Sequence, residues 1–233
     1  MKIALLISGR VNCNPEQHQN FLTNFVQNHQ VDLFVSHNKT DKTHIIEKFI
    51  QLYHPIRIVE NNEICIDVRQ YNVRPEYEIV KNTNKIYNIL YMYQSRLNVL
   101  NIFEEYVKNT HEKYDIIISS RNDLWFYEKI NFEEIKTYTD NHYICIPNPE
   151  NDHCGLNDHI AFSDNKSIVV YLKLYESFFA LLDSGVLLHP ESLLNQYLIQ
   201  KNALLCRTSI PYDIRRYTES KEDTSDYPDV LCV

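Results

Sequence analysis

Within the first 60 residues, short apolar runs alternate with stretches of helical periodicity. This alternation narrows the folds open to the chain more than any other feature. Residues 2–8 (KIALLIS) are a continuous apolar run closed by Gly9, which reads as a buried strand ending in a loop. Residues 16–29 put Phe21, Leu22, Phe25 and Val26 on one helical face. Residues 31–36 (VDLFVS) are again β-rich. Residues 43–53 return to helical spacing through Ile45, Ile46, Phe49 and Ile50, Pro55 ends them, and residues 56–59 form a third short strand. Strand, helix, strand, helix, strand predicts a parallel sheet covered by helices, with right-handed crossovers. A dinucleotide site would need G-x-G-x-x-G after the first strand. That position holds Ser8-Gly9-Arg10 and no further glycine, so a dinucleotide fold is excluded.

Beyond this half, residues 61–82 are polar and irregular, with extended character at 64–68. Residues 84–109 are a long helix with Ile86, Leu90, Leu97, Leu100, Phe103 and Val107 on its apolar side. Residues 114–119 (YDIIIS) predict a central strand running into Arg121-Asn122-Asp123-Leu124-Trp125-Phe126. A helical turn follows at 132–137, a strand at 143–146, a helix at 166–182 stopped by Gly185, a helix at 190–200 opened by Pro190, and a last strand at 203–210. The expected organisation is one α/β domain over residues 1–214, with a mixed central sheet flanked by helices, and a polar tail over 215–233.

The formal net charge of -8 argues against broad nucleic-acid binding, which needs a basic footprint. No apolar run reaches the ~18 residues of a membrane span, and the first segment is too short for a secretory leader, so a cytoplasmic protein is expected. Without a leader, the N-x-S/T sequons at Asn38 and Asn165 carry little weight. The six cysteines are dispersed without a C-x-x-C pair, which predicts reduced, mostly buried thiols. With only 3 glycines the chain cannot cradle phosphate in a glycine loop. A phosphate site here must use side chains, a metal or a helix N-terminus. No G-x-S-x-G, Walker A or H-E-x-x-H motif occurs, and His18, His29, His54 and His111 share no zinc spacing.

Four places can carry chemistry. Arg121 and Asp123 follow a buried strand, where a cation and a carboxylate face the crevice in which open α/β sheets bind ligands. The same pair can simply close a strand end. Asp158, after the Gly155 turn, serves either as a general base or as the cap of a short helix over the residues that follow. His189 and Glu191 open a helix, as ligand contacts or as a helix-terminal pair. In the Ser8-Gly9-Arg10 loop Gly9 permits close backbone approach and Arg10 can reach a phosphate, unless it is an ordinary turn. Trp125, Phe126 and Phe132 read as packing, with Trp125 able to stack on a sugar ring.

Taken in order, Ser8-Gly9-Arg10, the run from Tyr114 to Asp123, Gly155-Leu156-Asn157-Asp158 and His189-Pro190-Glu191-Ser192-Leu193-Leu194 resemble the small GT-A-type nucleotide-sugar glycosyltransferases. In particular they resemble the glycosyltransferase-like proteins of large DNA viruses and bacterial surface-polysaccharide clusters. The resemblance runs over residues 2–210. It implies a GT-A-like fold and transfer of a hexose or deoxyhexose from a nucleoside diphosphate sugar, by default UDP-linked, to a glycan or glycoprotein acceptor. For a viral protein the compartment implied is the host cytoplasm. Such enzymes place Asp-x-Asp at the strand end to hold Mn2+ or Mg2+. Here that place reads Arg121-Asn122-Asp123, so the resemblance leaves Asp123 as metal residue and lets Arg121 share the phosphate charge. It implies Asp158 as catalytic base with Arg121 beside it. Ser8, Gly9, Arg10, Arg121, Asp123, His189 and Glu191 are implied around the nucleotide sugar. An inactive sugar-nucleotide-binding relative and a nucleotidyltransferase are the alternatives.

Overall fold

The computed structural model describes residues 1–64, 83–148, 152 and 155–216. The expected alternation is present. Strand β1 (Lys2–Gly9) leads to α1 (Pro15–Phe21), which continues into one wider π-helical turn (Leu22–Val26). Then come β2 (Gln30–His37), α2 (Thr43–Tyr53) and β3 (Arg57–Glu60). The long α3 (Thr83–Thr110) carries the chain back to β4 (Ile116–Ser120). After it follow β5 (Leu124–Phe126), α4 (Phe132–Thr139), β6 (Ile144–Pro147) and β7 (Ile160–Ser163). The chain continues through α5 (Asn165–Leu172), α6 (Leu174–Asp183), α7 (Pro190–Gln200), β8 (Leu205–Thr208) and β9 (Tyr212–Ile214).

Seven strands form one mixed sheet in the order β3-β2-β1-β4-β7-β6-β8. β1 pairs in parallel with both β2 and β4, β2 with β3, and β6 with β8, whereas β7 runs antiparallel to β4 and β6. Strand alternation sends successive side chains to opposite faces. Ala4, Leu6, Phe34, Ile117, Ile144 and Ala161 pack beneath α3, α5, α6 and α7. Ile3, Leu5, Ile7, Val35, Ile118, Cys145 and Phe162 pack on the other face against Phe25, Phe49, Phe132 and Ile135, from the first helical segment, α2 and α4. The mixed central sheet flanked by helices is the expected architecture.

The chain winds outward from β1 to β3 and then returns to the other side of β1. That reversal places a topological switch point between β1 and β4, where α/β sheets open a crevice at their carboxyl ends. Ile7 is in register with Ser120 there, so Ser8-Gly9-Arg10 and Arg121-Asn122-Asp123 leave the sheet side by side.

Four expectations need correction. The residues after Asp158 form β7, not a short helix, so Asp158 caps nothing. Ile160, Ala161 and Phe162 are fully buried, the pattern of a strand covered on both faces. The single helix expected over 166–182 is two, broken at Lys173. The helix expected over 16–29 ends at Val26, beyond which Gln27 takes φ 51. β5 and β9 form a separate two-stranded ribbon, so the last strand of the chain lies beyond the expected stretch at 203–210. The extended character expected at 64–68 falls, after Ile64, outside the described residues, as does residue 217 onward in the tail.

Candidate functional site

At the end of β4, Arg121 and Asp123 grip each other. Arg121 Nε donates to Asp123 Oδ1 at 2.7 Å and Nη2 to Oδ2 at 2.6 Å. The fork uses both carboxylate oxygens, the bidentate geometry that makes such pairs strong. Burial is the largest single influence and works against the Arg121 charge, but the Asp123 hydrogen bond and the charges of Asp123 and Asp158 together outweigh it and raise the guanidinium's proton affinity. Asn122 is buried behind them, donating to Asn12 O at 3.1 Å and accepting from Gln17 Nε2 at 2.8 Å. The ribbon closes the outer side: Arg215 N–H donates to Asp123 O at 2.8 Å, and its guanidinium lies 3.8 Å from the Trp125 ring centre.

Beside this pair lies a second, deeper group. Asp158 precedes β7 and is 5% exposed; its carboxylate Oδ2 accepts from Arg96 Nη2 at 2.9 Å, and its carbonyl from the same nitrogen at 2.5 Å. Arg96 belongs to α3, is 3% exposed, and packs over the rings of Tyr93 and Tyr171. His159 Nε2 stands 3.8 Å from Asp158 Oδ1, while its Nδ1 meets Tyr212 Oη at 2.9 Å. Burial, chiefly, lowers the proton affinity of His159. At the start of α7, Glu191 is 7% exposed, and burial followed by the Asp158 charge pushes its carboxyl up to about 7. His189 Nδ1 lies 2.7 Å from Glu191 Oε2, out of line for a hydrogen bond.

Gly155 is what brings the loop before β7 onto α7. A Cβ at this position would stand 2.1 Å from the Glu191 carbonyl carbon and oxygen and 2.5 Å from Ser192 N. Only glycine allows that approach, and the adjoining Leu156 N–H then donates to Glu191 O at 3.0 Å. Asn157 finishes the turn, donating Nδ2 to Tyr212 Oη at 2.7 Å and accepting from His159 N at 3.0 Å. Tyr93 Oη donates to Pro190 O at 2.7 Å, which ties α3 to the first turn of α7.

On the β1 side, Gly9 adopts φ 101 and donates its N–H to Ser95 Oγ at 2.8 Å. Arg10 is exposed beyond it. The ends of β2 and β3 join this edge through amides. Asn61 Nδ2 donates to Asn38 Oδ1 at 3.2 Å, and Asn98 Nδ2 to Asn61 Oδ1 at 2.9 Å. Asp41 accepts from Asn38 N at 3.1 Å and from Val11 N at 3.4 Å, and burial raises its proton affinity.

The residues singled out in the sequence thus lie along one edge. Arg121 with Asp123, Asp158, and Glu191 with His189 come together, and Ser8, Gly9 and Arg10 end the neighbouring strand. Arg96 is the member that the sequence reading passes over. Its signal was its place in the series Ile89, Tyr93, Arg96, Leu100, Phe103, whose 4-3-4-3 spacing puts an arginine on the buried stripe of α3. His159, in the stretch that follows Asp158, likewise receives no role from the sequence.

The resemblance implies a cation at Asp123, but the residues present there do not fit one. Both oxygens of Asp123 serve Arg121, and no group of three ligand side chains that includes Asp123 occurs among the described residues. The group of three that does occur is Asp158, His159 and Glu191, whose ligand atoms all lie within 4.8 Å of one another.

No family model and no curated protein matches the chain. Among solved structures, it is similar to a protein from Desulfovibrio desulfuricans G20 assigned to the nucleotide-diphospho-sugar transferases. The identity is 10%, the TM-score 0.45, and the match covers 88% of this chain and 79% of that one. No helix among the described residues is long and apolar enough to cross a membrane.

Proposed function

We propose that the chain is a glycosyltransferase that moves a sugar from a nucleoside diphosphate sugar to an acceptor hydroxyl. One observation carries the reading: four segments far apart in sequence meet beside the switch point of the sheet. They bring Arg121, the Arg96–Asp158 pair and Glu191 to one edge. Motif order in the sequence supports the same reading independently of the geometry.

In this reading the amide-lined ends of β1, β2 and β3 take the nucleoside, through Asn38, Asn61 and the Ser8-Gly9-Arg10 backbone. Arg121, still held by Asp123 through Nε and Nη2, offers Nη1 to the diphosphate and stabilises the charge that develops on it as the bond to the anomeric carbon breaks. The acceptor oxygen forms the new bond to that carbon. Its proton passes to the Asp158–Glu191 carboxylate pair, and the electron pair of the broken bond leaves with the diphosphate. Arg96 keeps Asp158 oriented. The donor proposed is UDP-linked, the sugar a hexose or deoxyhexose, and the acceptor a glycan or glycoprotein. The closed fork between Arg121 and Asp123 favours a second reading, a relative of this fold that binds a sugar nucleotide without turning it over.

A thermal-shift panel of nucleotide sugars tests the proposal, because a ligand that binds the native state raises its stability, by about 2.7 kcal/mol at a hundredfold excess over Kd. One sugar nucleotide is expected to raise Tm, and Arg121→Gln to abolish the shift. A shift with no release of nucleoside diphosphate over an acceptor panel selects the second reading. No shift for any member overturns both.

A further inference from the structure

The buried trio beside the Arg121–Asp123 fork has the spacing of a cation site. We infer that Asp158, His159 and Glu191 bind one divalent transition-metal ion, of Mn2+ or Zn2+ type, and that Asp123 does not. His159 Nε2 and Asp158 Oδ1 are 3.8 Å apart. That is too long for a hydrogen bond. It is the separation of two atoms that each lie about 2.1 Å from a shared ion at an open angle. One oxygen of Glu191 closes the group within 4.8 Å.

A second observation comes from a polar atom that the protein leaves without a hydrogen bond. Glu191 Oε2 is buried on a side chain 7% exposed and has no such partner, since His189 Nδ1, at 2.7 Å, is out of line to donate. A buried carboxylate oxygen in that state needs a cation or a donor to offset its desolvation.

The surroundings of the trio match those of a metal centre. Ligating side chains are oriented by hydrogen bonds from their far atoms. Arg96 holds Asp158 by Oδ2, leaving Oδ1 toward the site, and Tyr212 Oη contacts His159 Nδ1, leaving Nε2 toward it. The imidazole favours Mn2+ or Zn2+ over Mg2+ or Ca2+, which prefer all-oxygen shells. Gly155 sets the distance between the two halves of the site, because any side chain there displaces the Glu191 backbone.

The inference deepens the transferase reading and rests on it only for the use of the ion. At this edge Arg10, Arg96 and Arg121 face four carboxyl groups, Asp41, Asp123, Asp158 and Glu191, so a diphosphate needs added positive charge, which the ion would supply. The second oxygen of Glu191 then remains for the acceptor proton.

The test is titration of the full chain with MnCl2, and separately ZnCl2, in the absence of nucleotide. Binding is read by calorimetry and by loss of the free Mn2+ electron-spin-resonance signal. One ion per chain is expected. Glu191→Gln and His159→Gln are each expected to weaken binding tenfold or more, while Asp123→Asn stays within twofold of the parent. Circular dichroism of each metal-free variant separates loss of a ligand from loss of the fold. Should one variant fail to fold, the other and the rise in Tm of the parent with metal alone still decide. Absence of saturable binding to the parent overturns the inference, as does binding lost in Asp123→Asn but kept in Glu191→Gln. A sugar-nucleotide shift without metal binding defeats only the metal site, and metal binding without any such shift defeats only the transferase reading.

Discussion

Arg96 is a guanidinium on the buried stripe of a 28-residue helix, and its carboxylate partner lies 62 residues away in sequence. Removing one member of a buried ion pair leaves the other charge uncompensated, which costs about 3–5 kcal/mol. Arg96→Met keeps the stem against Tyr93 and Tyr171 and should lose stability on that scale in urea unfolding. Adding Asp158→Asn should restore most of the loss. A single substitution within about 1 kcal/mol of the parent, well under that scale, would show that the pair does not hold the site.

At this scale, legibility followed chemical contrast. Arg121, Asp123, Asp158 and Glu191 stand next to apolar runs, and a charge in such a place draws notice. Arg96 is embedded in a long helix rich in tyrosine and polar residues, where an arginine reads as part of a solvated face. Only the partner across the fold shows otherwise.

Among the elements, those that carry their own punctuation read most directly. Asn14 and Pro15 open α1, with the Asn14 side chain accepting from Glu16 N at 2.8 Å and Gln17 N at 3.2 Å. Gly185, at φ 84, follows α6. β7 was missed because four residues, His159 aside, show no alternation when both faces are covered, and Asp158 before them imitates a cap. Strand pairing also decides which cysteines meet. Cys145 and Cys206 are directly in register on β6 and β8, with their sulfurs 2.8 Å apart.

That contact raises the proton affinity of the Cys145 thiol and lowers that of Cys206. Diamide, which accepts two electrons and two protons as two thiols join, is expected to close this pair. A thiol count should then fall by two in the parent. Cys206→Ser should leave Cys145 unreacted, since it is fully buried. An unchanged count in the parent would show that the strands hold the sulfurs in a geometry that does not permit the bond.

For the molecule as a whole, the sheet divides the interior into two layers. Adjacent residues of β4 serve different layers, Ile117 with α3, α5, α6 and α7 and Ile118 with the first helical segment, α2 and α4. Ile117→Val and Ile118→Val should each cost about 0.5–1.5 kcal/mol, and the double variant should equal their sum within about 0.5 kcal/mol. A larger deviation in chemical denaturation would mean that the layers communicate through the strand.

The amino-acid order alone determined that this chain builds an α/β sheet with charged groups at strand ends, because hydrophobic period and local punctuation are properties of neighbouring residues. Only the tertiary structure decided that Arg121 occupies Asp123, that β7 stands between β4 and β6, and that Arg96, Asp158, His159 and Glu191 meet. Those contacts depend on distances between segments dozens of residues apart, and sheet order and helix placement, not local propensity, set such distances.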